Sequence, residues 1–260
     1  MKGYSFMSPS ARSVAACTLF SALLCLPFAG ARAAELQVLA GGGLTGPLTE
    51  LAARFESASG HKLVIRFGTT PELIKLATAG GPFDLGVVPR EVFKDAAAQA
   101  RFAPGPTTDI ARVGLGVAVR AGAARPDIGT PDALRQALLQ AQSIASIPES
   151  AAGAQVLRVF ERLGIGEAMK AKMKAQPTTA ALVQAVARGD AEMGVFLSNV
   201  LTAPGLDLLG PFPAEVQQEV YYTAAAALGT EQSEAARAFV AFLKSPAAAA
   251  VFKARGVTPS

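Results

Sequence analysis

The sequence predicts an α/β fold with largely parallel sheets, arranged as two lobes, and three observations predict it. From Glu35 onward short apolar runs alternate with amphipathic stretches, the pattern of strands and their crossover helices. From Ala121 to Thr130 the chain turns rich in Gly, Pro and Ala, which places a crossing between lobes there. Beyond a Pro- and Gly-punctuated stretch from Ala203 to Pro213, one more strand and two helices follow, which is what a chain needs to return to its first lobe.

In chain order, Leu36–Ala40, Leu63–Phe67 and Asp84–Val88 read as the first three strands. Leu44, Leu48, Leu51 and Phe55 form one stripe of the helix between the first two. Pro71 occupies a first helical position behind Thr70 as the candidate cap. Val113–Arg120 is a fourth apolar run, and Thr130-Pro131-Asp132 opens a helix with Leu134, Leu138 and Leu139 on its apolar side. A second β/α unit follows: strand Ile144–Ile147, helix Val156–Leu163, helix Leu182–Val186 and strand Glu192–Leu197. Val220–Leu228 then reads as a strand, Thr230 as the cap of a helix bearing Phe239, Phe242 and Leu243, and Ser245-Pro246 as the start of the last helix. The expected division is 1–33 export segment, 34–118 first lobe, 119–215 second lobe and 216–260 the return to the first.

The export segment has a positive flank in Lys2 and Arg12, an apolar run from Val14 to Phe28, and small residues for cleavage at Ala31-Arg32-Ala33, so a signal peptide cleaved near Ala33 and a periplasmic location are expected. Val14-Ala15-Ala16-Cys17 opens the apolar run instead of following it, which is the wrong place for a lipoprotein box. Roughly 230 residues remain, enough for two modest lobes with cores of their own. Three basic residues and no acid fall in the export segment, so a chain of 24 basic and 20 acidic residues becomes nearly neutral on cleavage. With no dense Lys/Arg cluster, nucleic acid is excluded as a partner. Both cysteines, Cys17 and Cys25, also fall in that segment, and the single His61 cannot build a His/Cys metal site; no metal and no cofactor are expected.

Gly41-Gly42-Gly43-Leu44-Thr45-Gly46 has the literal spacing of a dinucleotide fingerprint between strand and helix. The acid that should follow about 20 residues later falls near Arg66 and Phe67, so cofactor binding is set aside. Two readings remain: a tight strand-to-helix turn, and a turn whose bare Gly42 and Gly43 let an anion approach free N–H groups at the helix's positive end. Gly68-Thr69-Thr70-Pro71 repeats that geometry with two hydroxyls, and Ser150-Ala151-Ala152-Gly153 repeats it in the second lobe. Because ligands of open α/β sheets sit beyond the carboxyl ends of strands, these turns are expected to converge on one cleft. Ser198 and Asn199 follow a second-lobe strand and could add side-chain donors, and Arg90 beyond the third strand is a candidate counter-charge. Tyr221 and Tyr222 alternate across a strand, so only one can face a cleft.

Taken together, these residues resemble the periplasmic molybdate-binding-like family, the type II solute-binding proteins of ABC transporters. The resemblance covers nearly all of the chain beyond the export segment. It rests on Ala40–Thr45 (AGGGLT), Gly68-Thr69-Thr70, Gly80–Asp84 (GGPFD), Ala187–Gly194 (ARGDAEMG), Pro204–Gln217 (PGLDLLGPFPAEVQ), Leu243-Lys244-Ser245-Pro246 and Lys253–Pro259 (KARGVTP). It implies a two-lobed periplasmic binding protein type II fold with two interlobe crossovers, a small anionic ligand held at helix N-termini, and delivery by a monomer to an ABC transporter permease. Molybdate binders of the family place a serine where Gly43 stands and a tyrosine beyond the second-lobe strand, where this chain reads Phe196-Leu197-Ser198-Asn199; an organic acid is therefore as fitting as an oxyanion.

The Pro204–Pro211 stretch is also similar to periplasmic aconitate isomerases, which implies an alternative: an isomerase of a small tricarboxylic acid on the same fold. Related sequences there read Gln-Gln followed by Ser-Glu after the second-lobe strand, whereas here Asn199 stands in the acid's place. Glu72 and Glu149 are the carboxylates nearest the expected cleft, and binding is preferred over catalysis. The expected ligand contacts are Gly42, Gly43, Thr69, Thr70, Arg90, Ser150, Ala151, Ser198 and Asn199.

Overall fold

A computed structural model describes residues 1–3 and 33–260. The apolar run Val14–Phe28, both cysteines, and Ala31 and Arg32 of the expected cleavage site lie outside the described residues.

Strand β1 (Glu35–Gly41) passes through one 3-10 turn (Gly42–Leu44) into α1 (Thr45–Ser59), followed by β2 (Lys62–Gly68), α2 (Thr70–Thr78) and β3 (Leu85–Pro89). A second 3-10 turn (Arg90–Lys94) and the short α3 (Ala96–Gln99) lead into the long β4 (Thr108–Arg120). Next come α4 (Pro131–Gln140), β5 (Ile144–Ser146), α5 (Ala151–Arg162), α6 (Gly166–Lys172), β6 (Met173–Ala175), α7 (Thr179–Ala187) and β7 (Met193–Leu197). The chain closes with β8 (Leu206–Pro211), β9 (Glu219–Ala226), α8 (Ser233–Leu243), α9 (Pro246–Ala254) and β10 (Thr258–Pro259).

Local chemistry explains most helix starts. Thr130 accepts from the Ala133 N–H at 3.1 Å, Thr178 from Ala181 at 3.2 Å and Ser245 from Ala248 at 3.2 Å, each meeting one donor that has no partner within its own helix. Two expected caps are corrected. Thr69, not Thr70, precedes α2, and its N–H and hydroxyl both donate to Glu72, at 2.7 and 2.9 Å. Gln232, not Thr230, precedes α8, because the Thr230 hydroxyl donates to Asp84 at 2.7 Å. The expected stripe of α1 holds: Leu44, Leu48, Leu51 and Phe55 are all buried.

Hydrogen bonding runs β2-β1-β3-β9-β4-β7-β5-β6, with β8 and β10 also on β4. Pairing is parallel among β1, β2 and β3 and among β5, β6 and β7, as the β/α alternation predicts. It is antiparallel wherever β4 or β9 takes part, so the central part of the sheet departs from the largely parallel expectation. The cause is topological: both strands lie along the paths that join the two lobes. Up to Gly114, β4 pairs with β9; from Leu115 onward it pairs with β7 and β8. β4 thus changes partners midway along its length, ahead of the Gly- and Pro-rich segment, and the chain passes from β8, on its later half, to β9, on its earlier half.

The stretch Ala203–Pro213, read from its Gly and Pro as irregular, contains β8. It pairs antiparallel with β4, and the register slips between Val117 and Ala118, opposite Gly210, whose φ is 155°. A bulge at a glycine accommodates that slip without breaking the strand. The short α6 and β6 were also not expected; neither is long enough for a clear period.

Where β4 changes partners, a side chain supplements the ladder. Gln217 Oε1 accepts from the Leu115 N–H at 2.8 Å, and Gln217 Nε2 donates to the Leu115 carbonyl at 3.0 Å. Leu115 is fully buried, and Gln217 adds to the longer bond of its N–H to the Gln218 carbonyl at 3.3 Å and to the bond its carbonyl accepts from the Phe212 N–H at 3.0 Å. Gln217→Ala should therefore lower the unfolding free energy by about 2 kcal/mol in chemical denaturation, whereas Gln218→Ala at the neighbouring position should cost less than half of that.

Candidate functional site

The carboxyl ends of β1, β2 and β5 each turn directly into a helix, and the three turns meet. Gly42 and Gly43, Thr69 and Thr70, and Ser150 and Ala151 line one chamber of about 30 Å³, together with Thr179 at the start of α7, Phe196 and Leu197 of β7, and Tyr222 of β9. No lining side chain carries a charge. The field inside comes from helix starts: the amino ends of α1, α2, α5 and α7 all border the chamber, and each presents the positive end of a helix dipole.

The hydroxyls divide into committed and free. Ser150 Oγ donates to the Ile147 carbonyl at 2.8 Å and accepts from the Gly153 N–H at 3.0 Å, so it caps α5. The Thr69 hydroxyl is committed to Glu72. Thr70 Oγ1 accepts from the Ala151 N–H at 2.9 Å, a buried bond from the second lobe to the first, and its own proton donates to no described group. Tyr222 is 2% exposed, and its hydroxyl likewise has no hydrogen-bond partner among the described residues. Burial, and then the charge of Glu91, raise the pKa of the Tyr222 phenol well above its ordinary value, so it stays a protonated donor at any physiological pH.

Gly43 is a glycine for want of space. A Cβ there would lie 2.2 Å from the Tyr222 hydroxyl oxygen and 2.4 Å from Leu197 Cδ1. The place a serine side chain would occupy is filled by the phenol and by Leu197.

A second chamber of about 450 Å³ shares Gly42, Gly43 and Thr179 with the first and is further lined by Thr45, Gln184, Asn199 and Arg255. Asn199 Nδ2 donates to the Gly43 carbonyl at 2.7 Å, a second tie between lobes, while its buried Oδ1 has no partner. Arg255, the one charged side chain of this chamber, pairs with Glu50 at 2.7 Å.

Of the expected contacts, six line the inner chamber and Asn199 lines the outer one; Arg90 and Ser198 line neither. Arg90 is turned away: its guanidinium lies 2.7 Å from Asp109 and 4.7 Å over the Tyr221 ring. Ser198 packs against Gly116, its N–H donating to the Gly114 carbonyl at 2.9 Å. Glu72 and Glu149 also lie outside both chambers. His61 is held by structure, its Nδ1 accepting from the Ala34 N–H at 3.1 Å and its ring stacked on Phe55. Sequence reasoning left Tyr221 and Tyr222 undecided and passed over Thr179; the alternation Val220, Tyr222, Ala224, all buried, marks Tyr222 as the inward residue.

Residues 36–258 match the family of bacterial extracellular solute-binding proteins. The chain belongs to that family. Among curated solute-binding relatives, the molybdate-binding protein ModA of Azotobacter vinelandii is 28% identical over 240 residues, covering 87% of this chain and 90% of the relative. An aconitate isomerase of a Pseudomonas species is 33% identical over 234 residues, covering 86% and 87%. The fold is that of the periplasmic binding proteins: the solved periplasmic molybdate-binding protein of Azotobacter vinelandii superposes with a TM-score of 0.73 at 21% identity, covering 86% of this chain and 98% of that one. The substrate-binding domain of a molybdenum ABC transporter from Clostridium difficile gives 0.67 at 17%, covering 88% and 100%.

The position of Arg90 makes a prediction about acid stability. Its hydrogen bond is the largest cause holding the Asp109 carboxyl below its ordinary pKa, so the pair stabilises the fold above the unfolded value near 4, and that stabilisation is lost as pH falls through the folded value. Arg90→Ala should therefore melt lower than the wild type at neutral pH, with the difference shrinking as pH falls through the folded value of Asp109, and should leave binding at the chamber unchanged.

Proposed function

We propose that this solute-binding protein captures a small anion, an organic acid or an oxyanion, in the cleft between its lobes and hands it to an ABC transporter permease. The observation that carries the reading is the inner chamber: four helix starts and the uncommitted hydroxyl protons of Thr70, Thr179 and Tyr222 around a space with no charged wall. Such a lining favours a negative charge through fixed N–H dipoles and gives nothing to a cation. The molybdate-binding relatives support the kind of ligand. On this reading the lobes comprise 34–118 with 216–260, and 119–215; the protein acts as a monomer in the periplasm after cleavage near Ala33.

The aconitate isomerase relative favours a second reading, isomerisation of a small tricarboxylic acid. Moving a double bond along such a chain requires a base within hydrogen-bond reach of a carbon-bound proton. Neither chamber is lined by a carboxylate, a histidine or a lysine, and the Tyr222 phenol is held protonated, so binding remains the preferred function.

The two readings separate in one pair of assays. Thermal-shift screening of oxyanions and small carboxylates should find a ligand that stabilises by about 2.7 kcal/mol at a hundred times its dissociation constant; stabilisation by sugars or cations alone would contradict the anion reading. Incubation with cis- or trans-aconitate should yield no interconversion above buffer, and turnover that survives repurification would establish the isomerase instead. Within the site, Thr70→Ala should weaken binding, whereas Thr69→Ala should mainly cost about 1 kcal/mol of stability through the lost helix cap.

A further inference from the structure

Tyr222 carries a hydroxyl that the fold does not use. The side chain is 2% exposed, the register between β9 and β4 shifts beside it, opposite Asp109 and Ala111, and the hydroxyl makes no hydrogen bond among the described residues. Open to the chamber, it is left to be met by water or by a bound group. The hydroxyl lies against Gly43, at the floor of the inner chamber and at the amino end of α1.

The chamber sizes say what can reach it. About 30 Å³ admits one or two waters, or the head of a single carboxylate. It does not admit the body of an organic acid. The outer chamber, about 450 Å³ and sharing Gly42, Gly43 and Thr179 with the inner one, does. Its polar lining, Thr45, Gln184 and Asn199, together with Arg255 at its edge, suits further oxygen groups on the same molecule.

Resting on the anion-binding reading, we propose that Tyr222 is a ligand-contacting and specificity-determining residue: its hydroxyl donates to one carboxylate of a small organic polyacid whose remaining body fills the outer chamber. Thr70, another hydroxyl with an uncommitted proton, donates to the same head from the α2 side. A compact tetrahedral oxyanion would use the inner chamber alone and gain nothing from the outer one, so polyacids are preferred over it. Because the phenol remains protonated across the physiological range, its contribution does not change with pH there.

The test compares wild type and Tyr222→Phe by calorimetry with citrate, cis-aconitate, trans-aconitate, molybdate and acetate, alongside the ligand-free melting temperature. The expected result is binding of at least one polyacid by the wild type more tightly than molybdate or acetate, and a loss of about ten- to hundredfold in Tyr222→Phe, with an unchanged ligand-free melt because the fold makes no hydrogen bond with that hydroxyl. Equal polyacid affinity in both proteins overturns the role of Tyr222. A ligand-free melt lowered by several degrees assigns the hydroxyl to the fold and overturns it too. Preference for molybdate overturns the polyacid while leaving the anion reading in place, and no binding of any of the five anions to the wild type overturns the two together.

Discussion

The first backbone N–H groups of a helix have no partner inside it, and this fold brings the starts of α1, α2, α5 and α7 to the border of one chamber. That constraint governs the rest of the cleft. The donors must be met by side chains, by the other lobe or by a bound group. Ser150 meets one by capping α5, and Thr70 meets another by accepting from Ala151 across the lobes. The glycines at 42 and 43 leave the amino end of α1 uncovered by any side chain of its own, and Tyr222 closes over it.

Neutral hydrogen bonds such as Ala151 to Thr70 and Asn199 to Gly43 cross the cleft and contribute about 0.5–1.5 kcal/mol each, beside a hydrophobic core that both lobes share. Strand β4 runs unbroken from one lobe to the other, and Gln217 adds to the backbone bonds of Leu115 at the point where its partners change. A cleft crossed by such bonds can respond to an anion that offers each helix start a better acceptor than its present one.

Much of this was legible in the sequence. The period of Leu44, Leu48, Leu51 and Phe55 identified α1 and its buried face, and Thr130, Ser245 and their following prolines marked helix starts. The glycine and hydroxyl turns after β1, β2 and β5 pointed to the chamber. What was not legible depends on tertiary contact. Thr69 and Thr70 are alike as sequence, and only the approach of Glu72 to one and of Ala151 to the other assigns them different work. Arg90 lies near the end of a strand that borders the site, but Asp109 and Tyr221, distant in sequence, draw it away. Strand β8 was hidden because Gly210, at positive φ, reads as a break where it forms a bulge.

The central claim is that the anion is held by fixed, uncharged donors at converging helix starts, and the dependence of affinity on ionic strength tests it most directly. Charges at the surface are screened over roughly 8 Å at physiological salt, while dipoles in direct contact with the anion are screened far less. The dissociation constant of the preferred anion, measured between about 20 and 500 mM of a non-binding salt, should change by no more than about threefold. A steep fall in affinity across that range would contradict the account and place the binding energy in exposed cations such as Arg255.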